Sequence, residues 1–75
     1  MKFSSRCRQV IELVGRDGHT YEGAAEEMGL SESTVRFYAR TVAEKTDIYP
    51  PLHACIHAYY LYVVSANADG ELSGG

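Results

Sequence analysis

Arg36 and Arg40 stand four residues apart, and a guanidinium at either position can hydrogen-bond guanine O6 and N7 or clamp a phosphate. Glu32, one helical turn before Arg36, can accept from cytosine N4, and Phe37 can pack on a thymine methyl. Ser33, Arg36, Phe37 and Arg40 fall on one side of a helical pattern whose opposite side is Val35, Tyr38, Ala39 and Val42. The chemistry on offer is base-edge and phosphate recognition in a nucleic-acid groove. The bland alternative is a solvated face with an i, i+4 arginine pair, but an exposed phenylalanine there needs a partner.

Other reactive residues combine less well. His53 and His57 have the i, i+4 spacing that can hold a metal on one helix face, yet no acidic third ligand lies near in sequence. No Gly-rich phosphate loop, Cys-x-x-Cys pair or Ser/His/Asp set with local context occurs. Glu26 and Glu27 are consecutive, so they point to different sides of a helix. No catalytic residue, metal or cofactor is expected, and the chain is read as a non-enzyme.

The stretch from Thr20 to Asp47 must position the arginines. Thr20 can cap a helix over about Tyr21–Met28, which Gly29 ends by supplying left-handed backbone. Ser31 caps the next helix, about Glu32–Thr46. Two helices crossing at a short turn form a helix-turn-helix, whose second helix can lie in a DNA major groove. Gly23 costs about 1 kcal/mol relative to alanine inside a helix. With Ala24 and Ala25 it suggests a flat face that another helix approaches closely.

Bulk properties bound the answer. The 75 residues make one small domain with a marginal core, globular at 45% hydrophobic and 23% charged residues. Net charge is −3, but all seven basic residues lie within the first 45 positions, balanced there by seven acids, so a local basic face remains open. Cys7 and Cys55 read as reduced thiols, with a disulfide as the minority option. Lys2 is followed by Ser, Ser, Arg, Cys and Arg at positions 4–8, unlike a signal peptide. The longest apolar run, Leu52 to Ala66, falls short of the roughly twenty residues of a membrane span. A soluble, cytoplasmic, nucleoid-associated protein is expected.

The flanks follow. Ser4 or Ser5 can cap a first helix to about Val14, with Val10, Leu13 and Val14 as its apolar stripe and Ile11 beside it. Arg6 and Arg8 fall in its first turn, against the helix dipole, either solvated or compensated by an anion. The turn expected next is residues 15–18. Tyr49, Pro50 and Pro51 close the third helix and open a fourth. That helix carries Leu52, Cys55, Ile56, Tyr59 and Val63 on one stripe, with Tyr62 extending the seam. It is apolar nearly all round, so it needs cover on two sides, and a second copy of the chain is the economical partner. The domain is placed at 1–67, with a dimerisation helix at about 51–67 and a disordered tail at 68–75.

The chain resembles the LuxR/GerE-type DNA-binding domain over about residues 3–61. The stretch 25–36, AEEMGLSESTVR, is similar to that family's A-E-x-L-x-[IV]-S-x-x-T-V-K core. Residues 3–10 resemble its opening, with Cys7 and Gln9 where the family has glutamates, and Glu44-Lys45 match the end of its recognition helix. The resemblance implies an all-α, four-helix domain with a C-terminal dimerisation helix, acting as a homodimer on an inverted-repeat operator in double-stranded DNA. It implies phosphate contacts from Thr20, Tyr21 and Thr34 and base or backbone contacts from Ser33, Arg36, Phe37 and Arg40. It also implies a stand-alone transcriptional regulator, with RNA polymerase or another regulator as a further partner. Glu22 departs from a position where the family often has a basic residue, removing one phosphate contact. The DNA-reading end of sigma factors has a similar helix-turn-helix and stays open as ancestry, although the tyrosine-rich fourth helix argues against it. The alternative function is a protein-interaction module that keeps this fold and pairs with or sequesters another regulator.

Overall fold

The computed structural model describes the backbone of residues 3–74 and the side chains of residues 3–63, and these residues are all-helical. Helix α1 (Ser5–Val10) opens at Ser4, whose hydroxyl accepts from the Cys7 amide at 3.3 Å. It does not stop near Val14. It continues into a π-helical segment, Ile11–Arg16, closed by the Asp17 amide donating to the Glu12 carbonyl at 3.0 Å. Gly15 therefore belongs to this segment and not to the turn expected at residues 15–18. Ile11, placed beside the stripe from spacing, is fully buried, whereas Leu13 is only half-buried.

Helix α2 (Tyr21–Met28) and helix α3 (Glu32–Thr46) have the expected bounds. Gly29 takes φ 67°, and the Leu30 amide donates to the Ala25 carbonyl at 3.0 Å, satisfying a carbonyl the helix end would leave open. Ala24 and Ala25 are buried, but Gly23 does not meet a second helix. A Cβ there would first touch His19 and Thr20, the residues leading into its own helix. Helix α3 closes at Asp47, which adopts the left-handed conformation at φ 59° that short polar side chains tolerate. Pro51 then opens helix α4 (Pro51–Gly74).

The core gathers Cys7, Val10, Ile11 and Val14 from the first segment, Ala24 and Ala25 from α2, Val35, Ala39, Val42 and Ala43 from α3, and Ala54, Cys55 and Ala58 from α4. Most of these side chains are small, which permits close helix approach while limiting the apolar area withdrawn from water. A cation–aromatic stack ties the N-terminal segment to α3 and α4. Lys45 lies over Phe3, Phe3 meets Tyr62 edge-on, and the Arg8 guanidinium carbon sits 5.2 Å from the Tyr62 ring centroid. The Tyr62 ring thus supplies a partner for Arg8, one of the two arginines near the start of this helix.

Helix α4 presents two opposed faces. Ala54, Cys55 and Ala58 turn inward, while Leu52, Ile56, Tyr60 and Val63 are exposed at about 100° per residue around the other side. The seam read from spacing is corrected at Cys55, which is wholly inside its own protomer. Tyr59 and Tyr62 are half-buried against the core, and Tyr60, absent from that seam, is 60% exposed. Small side chains let this flank sink into the domain, which sets the helix's rotation. The tail expected over 68–75 lies outside the residues whose side chains are described. Among the described residues, no helix is long and apolar enough to cross a membrane.

Candidate nucleic-acid interface

Two helix N-termini frame the site, each opened by a hydroxyl cap. Thr20 Oγ1 accepts from the Gly23 amide at 3.0 Å, and Ser31 Oγ accepts from the Thr34 amide at 3.3 Å. Ser31 Oγ also lies 2.8 Å from Thr34 Oγ1 and 3.2 Å from Ser33 Oγ. The Thr34 hydroxyl, assigned to phosphate from the resemblance, is thus already engaged within the cap, while Thr20 and Ser33 are exposed. The first turns of both helices keep amides that can face an anion, and the dipoles favour it there.

Ser33, Arg36, Phe37 and Arg40 share the exposed side of α3, because Val35, Ala39, Val42 and Ala43 occupy the buried side. Phe37 is 61% exposed and meets the Tyr38 ring edge-on. Arg40 is exposed and has no ion-pair partner among the described residues. Arg36 is engaged differently. Its Nε donates to Glu32 Oε2 at 2.8 Å, its Nη2 forms an ion pair with the same oxygen at 2.6 Å, and its guanidinium carbon lies 5.1 Å from the Tyr21 ring centroid. Tyr21 is half-buried against the core, and burial raises its phenol above the ordinary range, with Arg36 pulling the other way.

A groove of about 810 Å³ runs beside these residues, bordered by Tyr21, Arg36, Arg40, Glu44, Tyr49 and Leu52. Tyr49 and Leu52 lie outside the DNA-facing residues that helical spacing picks out. The turn into α4 brings them to the recognition helix, a long-range approach that local spacing does not encode. Glu22 lines an adjoining groove with Thr20, Tyr21, Glu32 and Arg36. The two arginines are therefore bracketed by Glu32 and Glu44 along α3, so the face is mixed in charge and not a continuous positive patch.

The remaining candidates lie apart from this face. Cys7 and Cys55 are buried free thiols, and burial, helped by the neighbouring Cys7, pushes the Cys55 thiol up to about 11. His53 and His57 are exposed on α4, and no group of three possible metal-ligating side chains converges among the described residues.

Residues 3–41, just over half of the chain, match the family model described as Sigma-70, region 4, a helix-turn-helix DNA-binding region. No curated protein and no solved structure matches. The match, to a region shared by sigma factors and LuxR/GerE-like regulators, shows helix-turn-helix DNA binding and does not decide between the two likenesses. It ends at Thr41, before α4 begins.

Proposed function

Because the chain belongs to the sigma-70 region 4 family, we propose that it is a sequence-specific, double-stranded-DNA-binding transcriptional regulator that acts as a homodimer. Helix α3 enters the major groove with Arg36 and Phe37 toward base edges, Glu32 and Ser33 beside them, and Arg40, Thr20, Tyr21 and Thr34 near the phosphates. The carrying observation is the pair of capped helix N-termini beside an exposed Arg36–Phe37–Arg40 face on the second helix. The stretch 31–36 supports a LuxR/GerE-type assignment within this reading.

The exposed face of α4 supports the homodimer. Ile56, Tyr60 and Val63 form an apolar stripe opposite the helix's own core contact, of the kind a second copy covers. Pairing about a two-fold axis sets two recognition helices on one side of a duplex. Successive major grooves there recur after roughly 34 Å, so the operator is an inverted repeat with half-sites about one turn apart.

Selection from random duplexes at low salt tests the reading and should enrich an inverted repeat. Arg40→Ala should weaken binding to all sequences alike and reduce the salt slope by about one if it holds phosphate. The bracketing acids make a shallow wild-type slope the expectation. Failure to enrich any sequence would remove this reading and favour the protein-interaction alternative.

A further inference from the structure

A guanidinium has five N–H donors: an edge formed by Nε and Nη2, and an end formed by Nη1 and Nη2. Glu32 Oε2 occupies the edge of Arg36, at 2.8 Å from Nε and 2.6 Å from Nη2. The Tyr21 ring occupies one face, 5.1 Å from the guanidinium carbon. The end carrying Nη1 and Nη2 remains for a ligand, and its two parallel N–H groups match guanine O6 and N7. We infer that Glu32 is a positioning residue, with Tyr21 as its platform, which holds Arg36 end-on for a guanine and thereby sets specificity at that base pair.

This inference rests on the duplex-DNA reading and changes what Glu32 does within it. A free arginine side chain loses rotamer entropy when a base orders it, and it can turn to a phosphate instead. An arginine held by an edge and a face has lost part of that freedom before DNA arrives, and its carboxylate partner repels phosphate. Glu32 should therefore lower affinity for arbitrary duplexes while raising discrimination at one position. Direct recognition of cytosine by Glu32 predicts a different pattern, because removing it would then relax a base pair separate from the one read by Arg36.

The test measures binding of wild type, Glu32→Ala, Glu32→Gln, Arg36→Ala and the Glu32→Ala/Arg36→Ala double variant. The duplexes are the selected site, all its single base-pair variants and an unrelated sequence, at two salt concentrations. Circular dichroism first establishes that each variant keeps wild-type helix content. Glu32→Ala is expected to relax the same base pair as Arg36→Ala, losing about ten-fold discrimination, while binding the unrelated duplex more tightly than wild type. The double variant should lose no more discrimination than Arg36→Ala alone, and Glu32→Gln, which keeps an acceptor oxygen, should restore part of it. Relaxation at a different base pair, additive losses in the double variant, or unchanged discrimination in Glu32→Ala would each overturn the positioning role and leave the DNA-binding reading standing. Wild-type protein that binds no duplex at either salt concentration would overturn both.

Discussion

Gly15 lies directly against the backbone of Cys55: a Cβ at Gly15 would stand 2.5 Å from the Cys55 carbonyl oxygen and 3.0 Å from its carbonyl carbon. A flexible side chain could yield at such distances, but helix backbone cannot without shifting α4. The bare glycine is what allows the π-helical segment to dock on α4, and α4 in turn borders the groove beside Arg36. Gly15→Ala should therefore destabilise the protein by about 1–3 kcal/mol despite alanine's better helix propensity. Urea denaturation checks this, and a stabilised variant would show that the two segments separate without cost.

The caps and the core beneath the recognition helix should respond differently. Ser31→Ala removes the oxygen that accepts from the Thr34 amide and should cost about 1 kcal/mol of stability. Val35→Ala empties a fully buried site and should cost about 0.5–2 kcal/mol, scaled down from larger truncations. Thr34→Ala leaves the cap's acceptor in place and should change stability little while weakening DNA binding. Equal losses of melting temperature in Thr34→Ala and Ser31→Ala would show that the Thr34 hydroxyl is chiefly structural.

The buried thiol makes stability depend on alkaline pH. Cys55 titrates near 11 in the folded protein, above its ordinary value of 9.0. Between those values the unfolded chain has lost the thiol proton and the folded one retains it, so the folded state binds more protons. Stability is fully present below about pH 9 and falls as pH rises toward about 11. Cys55→Ala should show a shallower decline over the same interval in pH-dependent denaturation. An unchanged slope would assign the alkaline loss to other groups, of which Tyr21, with its phenol also raised, is one.

Ile56 and Tyr60 give the cleanest tests of the dimer, because both are exposed in the protomer while Tyr59 helps cover its core. Ile56→Glu should produce a folded monomer with wild-type helix content and weakened binding to a two-half-site operator. Sedimentation distinguishes the states. A wild-type chain that is monomeric while folded and bound to DNA would remove the role proposed for this face.

Local chemistry made much of this protein legible from sequence. Gly29, Ser31 and the 3.6-residue spacing of Val35, Ala39 and Val42 place α2, their turn and α3, because caps and periodicity act over only a few neighbours. That spacing also puts Arg36, Phe37 and Arg40 on the exposed side. The alanines and the cysteine of α4 were harder to place, since a helix apolar nearly all round carries no periodic mark of its inward flank. Packing decides it: the backbone of Cys55 meets the π-helical segment where Gly15 has no side chain, Ala54, Cys55 and Ala58 are buried in the core, and Ile56 and Tyr60 face outward. The Tyr21 ring reached Arg36, and Tyr49 and Leu52 reached the same groove, only through folding. Such contacts join residues far apart in the chain, and the relative placement of the helices that brings them together is a property of the packed core as a whole.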